Sequence, residues 1–221
     1  GRGNAIAGSF LIIMKILVAC EESQAVTIEM RKLGHEAYSC DIEPCSGGHP
    51  EWHLQTDALE LLKMQWDMII AHPPCTYMSR AGARWMYPKA GQLSEERYGK
   101  ALLAKAFFLK FLNADCPRIC VENPRPLRII ELPTPTQIIQ PYQFGHPYSK
   151  ATLLWLRGIP PLKPTKVLTE YKPYLPSNTG AYSRGAGGSK GVAHDARTAS
   201  KTFQGIAQAM AAQWAGDINQ F

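Results

Sequence analysis

Short unbroken apolar runs alternate with longer segments of helical spacing along most of the chain. The runs predict strands buried on both faces, because a continuous apolar run leaves no polar face for solvent. The predicted strands cover 15–20, 36–40, 68–71, 118–121 and 152–156, and the predicted helices cover 25–33, 58–64, 94–112 and 198–214. This alternation predicts an α/β fold with a mostly parallel central sheet and helices on both faces.

The run Met68–Ala71 stops at Pro73 and Pro74, and Cys75 follows. Proline fixes φ and lacks a backbone donor, so the strand must end there. Cys75 is therefore expected just beyond the carboxyl end of a central strand, at the edge where open α/β sheets bind ligands. A thiol on a stiff Pro-Pro turn is well placed to act as a nucleophile. The alternative is a free cysteine buried as a small apolar residue.

The first strand, helix and second strand have the layout of a nucleotide-binding βαβ unit, with Asp41 where a ribose-binding acid is expected. Ser23 is expected to cap the helix, which ends at Gly34. The first turn has no glycine and contains Glu21 and Glu22, whose charges would repel a pyrophosphate. A cationic nucleoside such as S-adenosylmethionine is therefore favoured over a dinucleotide.

The composition is that of one globular domain, with 221 residues of which 45% are hydrophobic. The six cysteines are scattered along the chain, which predicts a reducing, cytoplasmic environment. Residues 1–13 are expected to be an added leader before a natural start at Met14. Their apolar stretch is too short to span a membrane, so no membrane association is expected.

The net charge of +6 is concentrated in one segment. Residues 157–201 contain eight basic and two acidic side chains, a surplus equal to the net charge of the whole chain. A basic segment on an otherwise balanced body indicates a surface that binds a polyanion such as nucleic acid. The alternative is a solvated loop without a partner.

Four side chains around the loop 44–56 have the spacing of a zinc site: Cys40, Cys45, His49 and His53 read C-x4-C-x3-H-x3-H. The alternative places the histidines on the surface and the cysteines in the core. Asp57 follows this loop. It is expected either to accept from the adenine amino group of a bound nucleoside or to cap the next helix.

Two further segments carry polar chemistry. Residues 76–92 combine basic and aromatic side chains, including Arg80, Arg84 and Trp85, which suits a mobile loop that closes over nucleic acid. Glu122 follows the predicted strand 118–121. Its carboxylate would lie beside Cys75 if the two strands are neighbours in the sheet.

Three short motifs occur in a fixed order: Pro73-Pro74-Cys75, Val121-Glu122-Asn123-Pro124, and Phe144-Gly145-x-Pro147 followed by a base. In order and spacing they resemble the motifs of the DNA cytosine-5 methyltransferases, and the chain looks most like short members encoded by phages and prophages. The resemblance covers Met14 to about Leu156 and resumes at about Thr198. It implies a Rossmann-like, S-adenosylmethionine-dependent methyltransferase fold.

The resemblance also implies a mechanism for the three motifs. The Cys75 thiolate would add to carbon 6 of cytosine, after which carbon 5 can attack a methyl sulfonium. Glu122 would contact the ring nitrogen and the exocyclic amine. Lys150 stands where the family has an arginine and would orient the base and Glu122. Thr152 stands where a second arginine is expected, which is a departure from the family pattern.

By the same resemblance, three groups of residues receive roles. S-adenosylmethionine would be bound by Cys20, Glu21, Ser23, Gln24, Asp41, Ile42, Asp57, the backbone at His72 and Pro73, and Gln204 and Gly205. DNA would be bound by Arg80, Arg84, Lys163, Lys166, Arg184 and Lys190. The catalytic domain would comprise 14–156 and 198–221, with 157–197 as a short target-recognition segment. So short a segment leaves few residues to read base edges, which implies relaxed specificity or a separate specificity partner.

Three other functions compete with this hypothesis. Methylation of an exocyclic amine is disfavoured because His72 and Cys75 flank the two prolines. Thiol chemistry on a free nucleotide or on RNA is a second alternative. The third is a catalytically silent DNA-binding protein, which the glycine-less turn and Thr152 would favour. The target sequence and the biological role, such as restriction–modification, do not follow from these residues.

Overall fold

A computed structural model describes residues 12–176, 192–194 and 196–216 of the chain. The strands are β1 Lys15–Ala19, β2 Glu36–Asp41, β3 His53–Gln55, β4 Met68–Ala71, β5 Ile119–Pro124, β6 Gln137–Ile139, β7 Tyr148–Ser149, β8 Thr152–Arg157, β9 Lys172–Pro176 and β10 Val192–His194. The helices are α1 Ala25–Lys32, α2 Ala58–Leu61, α3 Ala83–Met86, α4 Glu95–Leu112, α5 Ala196–Ser200 and α6 Gln204–Trp214.

Seven strands form the central sheet in the order β3-β2-β1-β4-β5-β8-β6. The first five are parallel, whereas β8 runs antiparallel to both of its neighbours. The strand order reverses between β1 and β4, and such a switch point opens a crevice at the carboxyl ends of the strands. The predicted Rossmann-like, mostly parallel sheet is confirmed.

Helices cover both faces of this sheet, as predicted. Alternate residues of β1 point to opposite faces, so Ile16 packs in one apolar cluster and Leu17 in another. The first cluster contains buried residues of α1 and α6, and the second contains buried residues of α2 and α4. Because both faces of the central strands are covered, their sequences are apolar without alternation.

The C-terminal part differs from the sequence prediction in two ways. The helix predicted over 198–214 is two helices, α5 and α6, separated by 201–203. Gly205 lies so close to Phe144 that an added Cβ would be 2.1 Å from the Phe144 carbonyl oxygen, and this contact fixes where α6 begins. The basic segment also contributes β9 and β10, which form a second, three-stranded sheet with β7.

The start of α1 corrects the prediction that Ser23 caps this helix. The cap position is Gln24, and its side chain makes no capping hydrogen bond. The buried carboxylate of Glu21 takes this role: it accepts from the backbone N–H of Val26 at 2.7 Å and from that of Thr27 at 3.3 Å. A helix N-terminus attracts anions, so Glu21 occupies the place where a nucleotide phosphate would bind.

In the part of the chain that the structure describes, no helix is both long and apolar enough to cross a bilayer.

We expect Glu21→Ala to lower the free energy of unfolding by about 1–3 kcal/mol, because it leaves buried backbone donors of α1 without an acceptor. Glu21→Gln retains one acceptor oxygen and should lose less. Urea unfolding followed by circular dichroism measures both changes. Glu43→Ala removes an exposed carboxylate of the same charge and serves as the control. Equal unfolding midpoints for Glu21→Ala and Glu43→Ala would contradict the capping role of Glu21.

Candidate active site

The candidate site lies where β4 ends beside β5, which continues to Pro124. In this parallel pair Ala71 is in register with Val121, so the next residues, His72 and Glu122, are level with each other. Nδ1 of His72 is 2.7 Å from Oε2 of Glu122. Their side chains are only 11% and 20% exposed. Both strands therefore deliver a titratable group to the same partly buried point.

The segments that follow these two strands are tied together by further hydrogen bonds. The side chain of Asn123 donates from Nδ2 to the carbonyl of Pro73 at 2.7 Å. Farther along, Ser79 and Pro126 form an antiparallel bridge. The two segments thus form one unit, called here the joined strand ends and comprising residues 72–80 and 122–127.

Cys75 sits on a tight turn within the joined strand ends. Its carbonyl accepts from the backbone N–H of Met78 at 3.0 Å and from that of Ser79 at 2.9 Å. The carbonyl of the next residue, Thr76, accepts from Nη2 of Arg97 at 2.7 Å, which attaches the turn to α4. The side chain of Cys75 is half-buried. A fixed backbone and a partly accessible thiol are the features that a nucleophile needs.

Lys150 reaches the same edge from the other side. It precedes β8, whose first residue, Thr152, is in register with Pro124 of β5. The Lys150 ammonium donates to the carbonyl of Ala199 at 2.5 Å, and it lies 5.9 Å from the ring centre of Phe203. A narrow cleft at this point is lined by Glu122, Lys150, Thr152, Phe203 and others.

Burial and two opposite charges act on the pKa of the Cys75 thiol. Burial raises the pKa of Cys75, the negative charge of Glu122 raises it further, and the positive charge of Lys150 partly offsets both effects. The charges of Glu122 and Lys150 thus both act on the Cys75 thiol. The catalytic roles of these three residues remain a prediction.

In the His72–Glu122 pair, interactions between charged groups outweigh the effect of burial on both pKa values. Burial favours the neutral form of each group. The hydrogen bond and charge of Glu122, with the charge of Glu21, nevertheless leave the pKa of His72 above its ordinary value. The hydrogen bond from His72, with the charges of His72 and Lys150, leaves the pKa of Glu122 below its ordinary value. Each partner therefore favours the charged form of the other.

The predicted cofactor residues at the ends of β1 and β2 face one another. Cys20 has a left-handed backbone with φ of 58°, which turns the chain away from β1. Burial raises the pKa of Cys20, and the negative charges of Asp41 and Asp57 raise it further, so both acids lie near this turn. Ile42 is 71% exposed beside them. An acidic turn with an exposed apolar side chain fits a cationic nucleoside.

Other predicted cofactor residues are already bonded within the protein. The buried side chain of Gln24 donates to the carbonyl of His49 at 2.8 Å and accepts from its backbone N–H at 3.0 Å. Asp57 caps α2 by accepting from Leu59, as the alternative for this residue predicted. The backbone N–H of Gly205 donates to Nε2 of His146 at 2.9 Å, whereas Gln204 is exposed.

Sequence reasoning missed the ion pair that brings α5 across this edge. Nη2 of Arg197 lies 3.3 Å from Oε2 of Glu22, in the turn after β1. It also missed the side chain of His72, for which only a backbone role was expected. A histidine directly before Pro-Pro at the end of a buried strand is a signal that could have identified it.

The predicted DNA-binding residues do not form one group. Arg80 and Arg84 are exposed near Cys75, and the Arg84 guanidinium lies over the ring of Trp85 at 4.8 Å. Lys163 is exposed, and its backbone pairs with the side chain of Gln213 in the last turn of α6, so its predicted DNA contact stays a prediction. Gln213 is about 12 Å along the helix from Gly205, toward the opposite edge of the sheet.

Two other predicted DNA contacts, Arg184 and Lys190, lie outside the described residues. Lys166 is exposed and forms a bridge with Phe144. Among the described residues, Arg80 and Arg84 are exposed basic side chains in the segment that follows Cys75.

The zinc prediction is wrong. In the described ranges, no three His, Cys, Asp or Glu side chains are grouped so that they could hold a metal ion. The two ring nitrogens of His53 bond to Ser39 and to the carbonyl of Glu43, and the ring of His49 stacks on Trp52 at 4.0 Å. Cys40 is buried, as the alternative for the cysteines predicted.

Comparison with known proteins gives only distant similarity. No family model and no curated protein sequence matches the chain. One similar solved structure is a prophage-encoded protein of E. coli described as a DNA modification methyltransferase: 13% identity, TM-score 0.43, covering 69% of this chain and 51% of that one. Another is the Dnmt2 methyltransferase of S. pombe: 13% identity, TM-score 0.40, covering 68% and 51%. The chain thus matches about half the length of each, and similarity at this level says nothing about activity.

We expect Glu122→Gln to lower the pKa of Cys75 and Lys150→Ala to raise it, because each change removes one charge that acts on the thiol. Iodoacetamide labelling across a pH series, read at the Cys75 peptide by mass spectrometry, measures the midpoint. The Glu122→Gln midpoint should move to lower pH and the Lys150→Ala midpoint to higher pH. Labelling of Cys45 in the same samples is the internal control. Unmoved Cys75 midpoints would show that the three groups are not coupled.

His72→Ala should raise the pKa of Glu122, since it removes both the hydrogen bond and the positive charge while the carboxyl group stays buried. The carboxylate would then form only at higher pH than in the wild type. Carbon-13 NMR titration of the Glu122 side chain measures this shift. His72→Asn, which keeps a neutral donor, should give an intermediate value. A Glu122 titration identical in all three proteins would contradict the pairing.

Proposed function

We propose that this protein transfers a methyl group from S-adenosylmethionine to carbon 5 of cytosine in DNA, through a covalent adduct with Cys75. The observation that supports this proposal is the register of β4 and β5, which puts the turn with Cys75 at the edge that holds Glu122, together with the effect of the Glu122 and Lys150 charges on the thiol. A thiol, a carboxylate and an ammonium at this edge match what addition to a pyrimidine ring requires. The proposed setting is the cytoplasm, with DNA as the partner.

In the proposed reaction the Cys75 sulfur forms a bond to carbon 6 of the target cytosine, and the electron pair of the 5,6 double bond shifts to make carbon 5 nucleophilic. Glu122 accepts from the exocyclic amine with the oxygen that His72 leaves free. His72 keeps this carboxylate ionised and in place. Lys150 favours the thiolate and counteracts the charge of Glu122. Carbon 5 would then form a bond to the donor's methyl group as the methyl–sulfonium bond breaks and a neutral thioether leaves. Loss of the carbon 5 proton to a base, with expulsion of the Cys75 sulfur as a thiolate, would restore the 5,6 double bond.

The methyl donor would be bound at the turn after β1. When bound, S-adenosylmethionine supplies an electrophilic methyl group on a cationic sulfur. Asp41 and Asp57 are suited to the hydroxyl and amino groups of a nucleoside, and Ile42 to an adenine face. Glu21 fills the helix N-terminus where a phosphate would otherwise bind, which favours a donor without phosphates.

A catalytically silent DNA-binding protein is the second candidate. The raised pKa of the Cys75 thiol favours it, because only a small fraction of thiolate is available at neutral pH. Thr152 also favours it, since its buried hydroxyl donates to the carbonyl of Lys150 at 3.2 Å and supplies no positive charge. The two candidates differ in whether a covalent adduct forms.

The test is incubation with labelled S-adenosylmethionine and random-sequence DNA that contains 5-fluorocytosine, followed by denaturing electrophoresis. Fluorine at carbon 5 cannot leave as a proton does, so the adduct should persist and carry the label. Cys75→Ser should give no adduct, and Cys45→Ser should behave as the wild type. Wild type that binds DNA but gives neither adduct nor label supports the silent protein. Label on the exocyclic amine of ordinary DNA would replace the proposal with amine methylation.

A further inference from the structure

Two arginines face each other across the joined strand ends. The bridge between Ser79 and Pro126 is antiparallel, so Arg80 lies directly opposite Arg125, and its backbone N–H donates to the Arg125 carbonyl at 2.9 Å. This bond places the two backbones next to each other at the end of the bridge, where Arg80 begins a short 3₁₀ helix, Arg80–Gly82. Both arginines are exposed.

This arrangement is unfavourable by itself, since like charges directly opposite each other destabilise a pair of strands. An acidic neighbour would normally offset the repulsion. Among the described residues, neither Arg80 nor Arg125 forms an ion pair, in contrast to Arg197 with Glu22. The two guanidinium groups therefore present a concentrated positive charge that the described part of the protein does not neutralise.

The backbone under this charge is held in place. The Arg80 side is attached through the Cys75 turn to α4, and the Arg125 side follows directly from β5. A second hydrogen bond, from the Leu127 N–H to the Met78 carbonyl at 2.8 Å, closes the bridge. Arg80 comes five residues after Cys75, and Arg125 comes three after Glu122. Both arginines are thus fixed relative to the candidate catalytic groups.

We propose that Arg80 and Arg125 together bind one backbone phosphate of DNA beside the nucleotide whose base enters the site. A phosphate would remove the repulsion, and two planar guanidinium groups can each donate two hydrogen bonds to its oxygens. Binding here would fix the register of the strand and would carry no base information. The inference rests on the proposed function for its choice of DNA as the anion.

The first experiment measures binding of a fluorescent DNA duplex by anisotropy at several salt concentrations, without a methyl donor. The slope of log affinity against log salt counts neutralised phosphates, so Arg80→Ala/Arg125→Ala, which frees one phosphate, should make it shallower by about 1. The matched control, Lys63→Ala/Arg118→Ala, removes the same charge away from the joined strand ends and should leave the slope as in the wild type. Equal slopes for both double variants would overturn the proposal.

The second experiment locates the phosphate. A duplex with one 5-fluorocytosine marks the target, and neutral methylphosphonates replace its neighbouring phosphates one at a time. Wild type should lose affinity at one phosphate next to the target, and Arg80→Ala/Arg125→Ala should be insensitive to that replacement. Arg80→Lys/Arg125→Lys keeps the charge, so it should regain most of the salt slope. If the alanine variant also loses affinity when that same phosphate is replaced, the proposal is contradicted.

These outcomes separate the arginine pair from the methyl-transfer proposal. If wild type gives no methyl transfer but the alanine variant loses salt slope and positional sensitivity, the phosphate site stands and the enzyme proposal fails. If wild type methylates DNA, and the alanine variant has the same salt slope and positional sensitivity as wild type, the enzyme proposal stands and the phosphate site fails. If wild type binds no DNA, the proposed phosphate site is wrong.

Discussion

The hydrogen bond between His72 and Glu122 is the interaction on which the rest of the site depends. It is possible because β4 and β5 are parallel neighbours in register, so that the residues after Ala71 and Val121 meet at one edge. The bond from Asn123 to the Pro73 carbonyl makes the junction rigid. Cys75 and the adjacent Arg80 and Arg125 all belong to the two segments that these bonds join.

The charges at this junction balance one another. A carboxylate in a partly buried place would be driven toward its neutral form. His72 and Lys150 prevent this for Glu122, and in turn Glu122 works against the ionisation of Cys75. The pKa of the thiol is therefore raised by the same carboxylate that pairs with His72.

A second carboxylate explains the unusual first turn. In many nucleotide-binding βαβ units a glycine-rich turn lets a phosphate approach the helix N-terminus. Here the buried Glu21 fills that position with the protein's own negative charge, so glycines have no role there. The acids that remain, Asp41 and Asp57, lie at the neighbouring strand ends and face Cys20.

The sequence by itself determined the central strands and the order of the motifs, because apolar runs and paired prolines act locally. It predicted β4 with its ends at Met68 and Ala71, and it placed Cys75 just after that strand, whereas β5 runs past its predicted end at 121 and includes Glu122. That β4 and β5 are neighbours was known only from the structure. Only the tertiary structure decided which polar atoms pair: Glu21 rather than Ser23 at α1, His72 with Glu122, and Arg80 opposite Arg125. The last two pairings depend on strand register and join segments about 50 residues apart in the chain, and the first depends on how the turn after β1 is buried, so no local pattern records them.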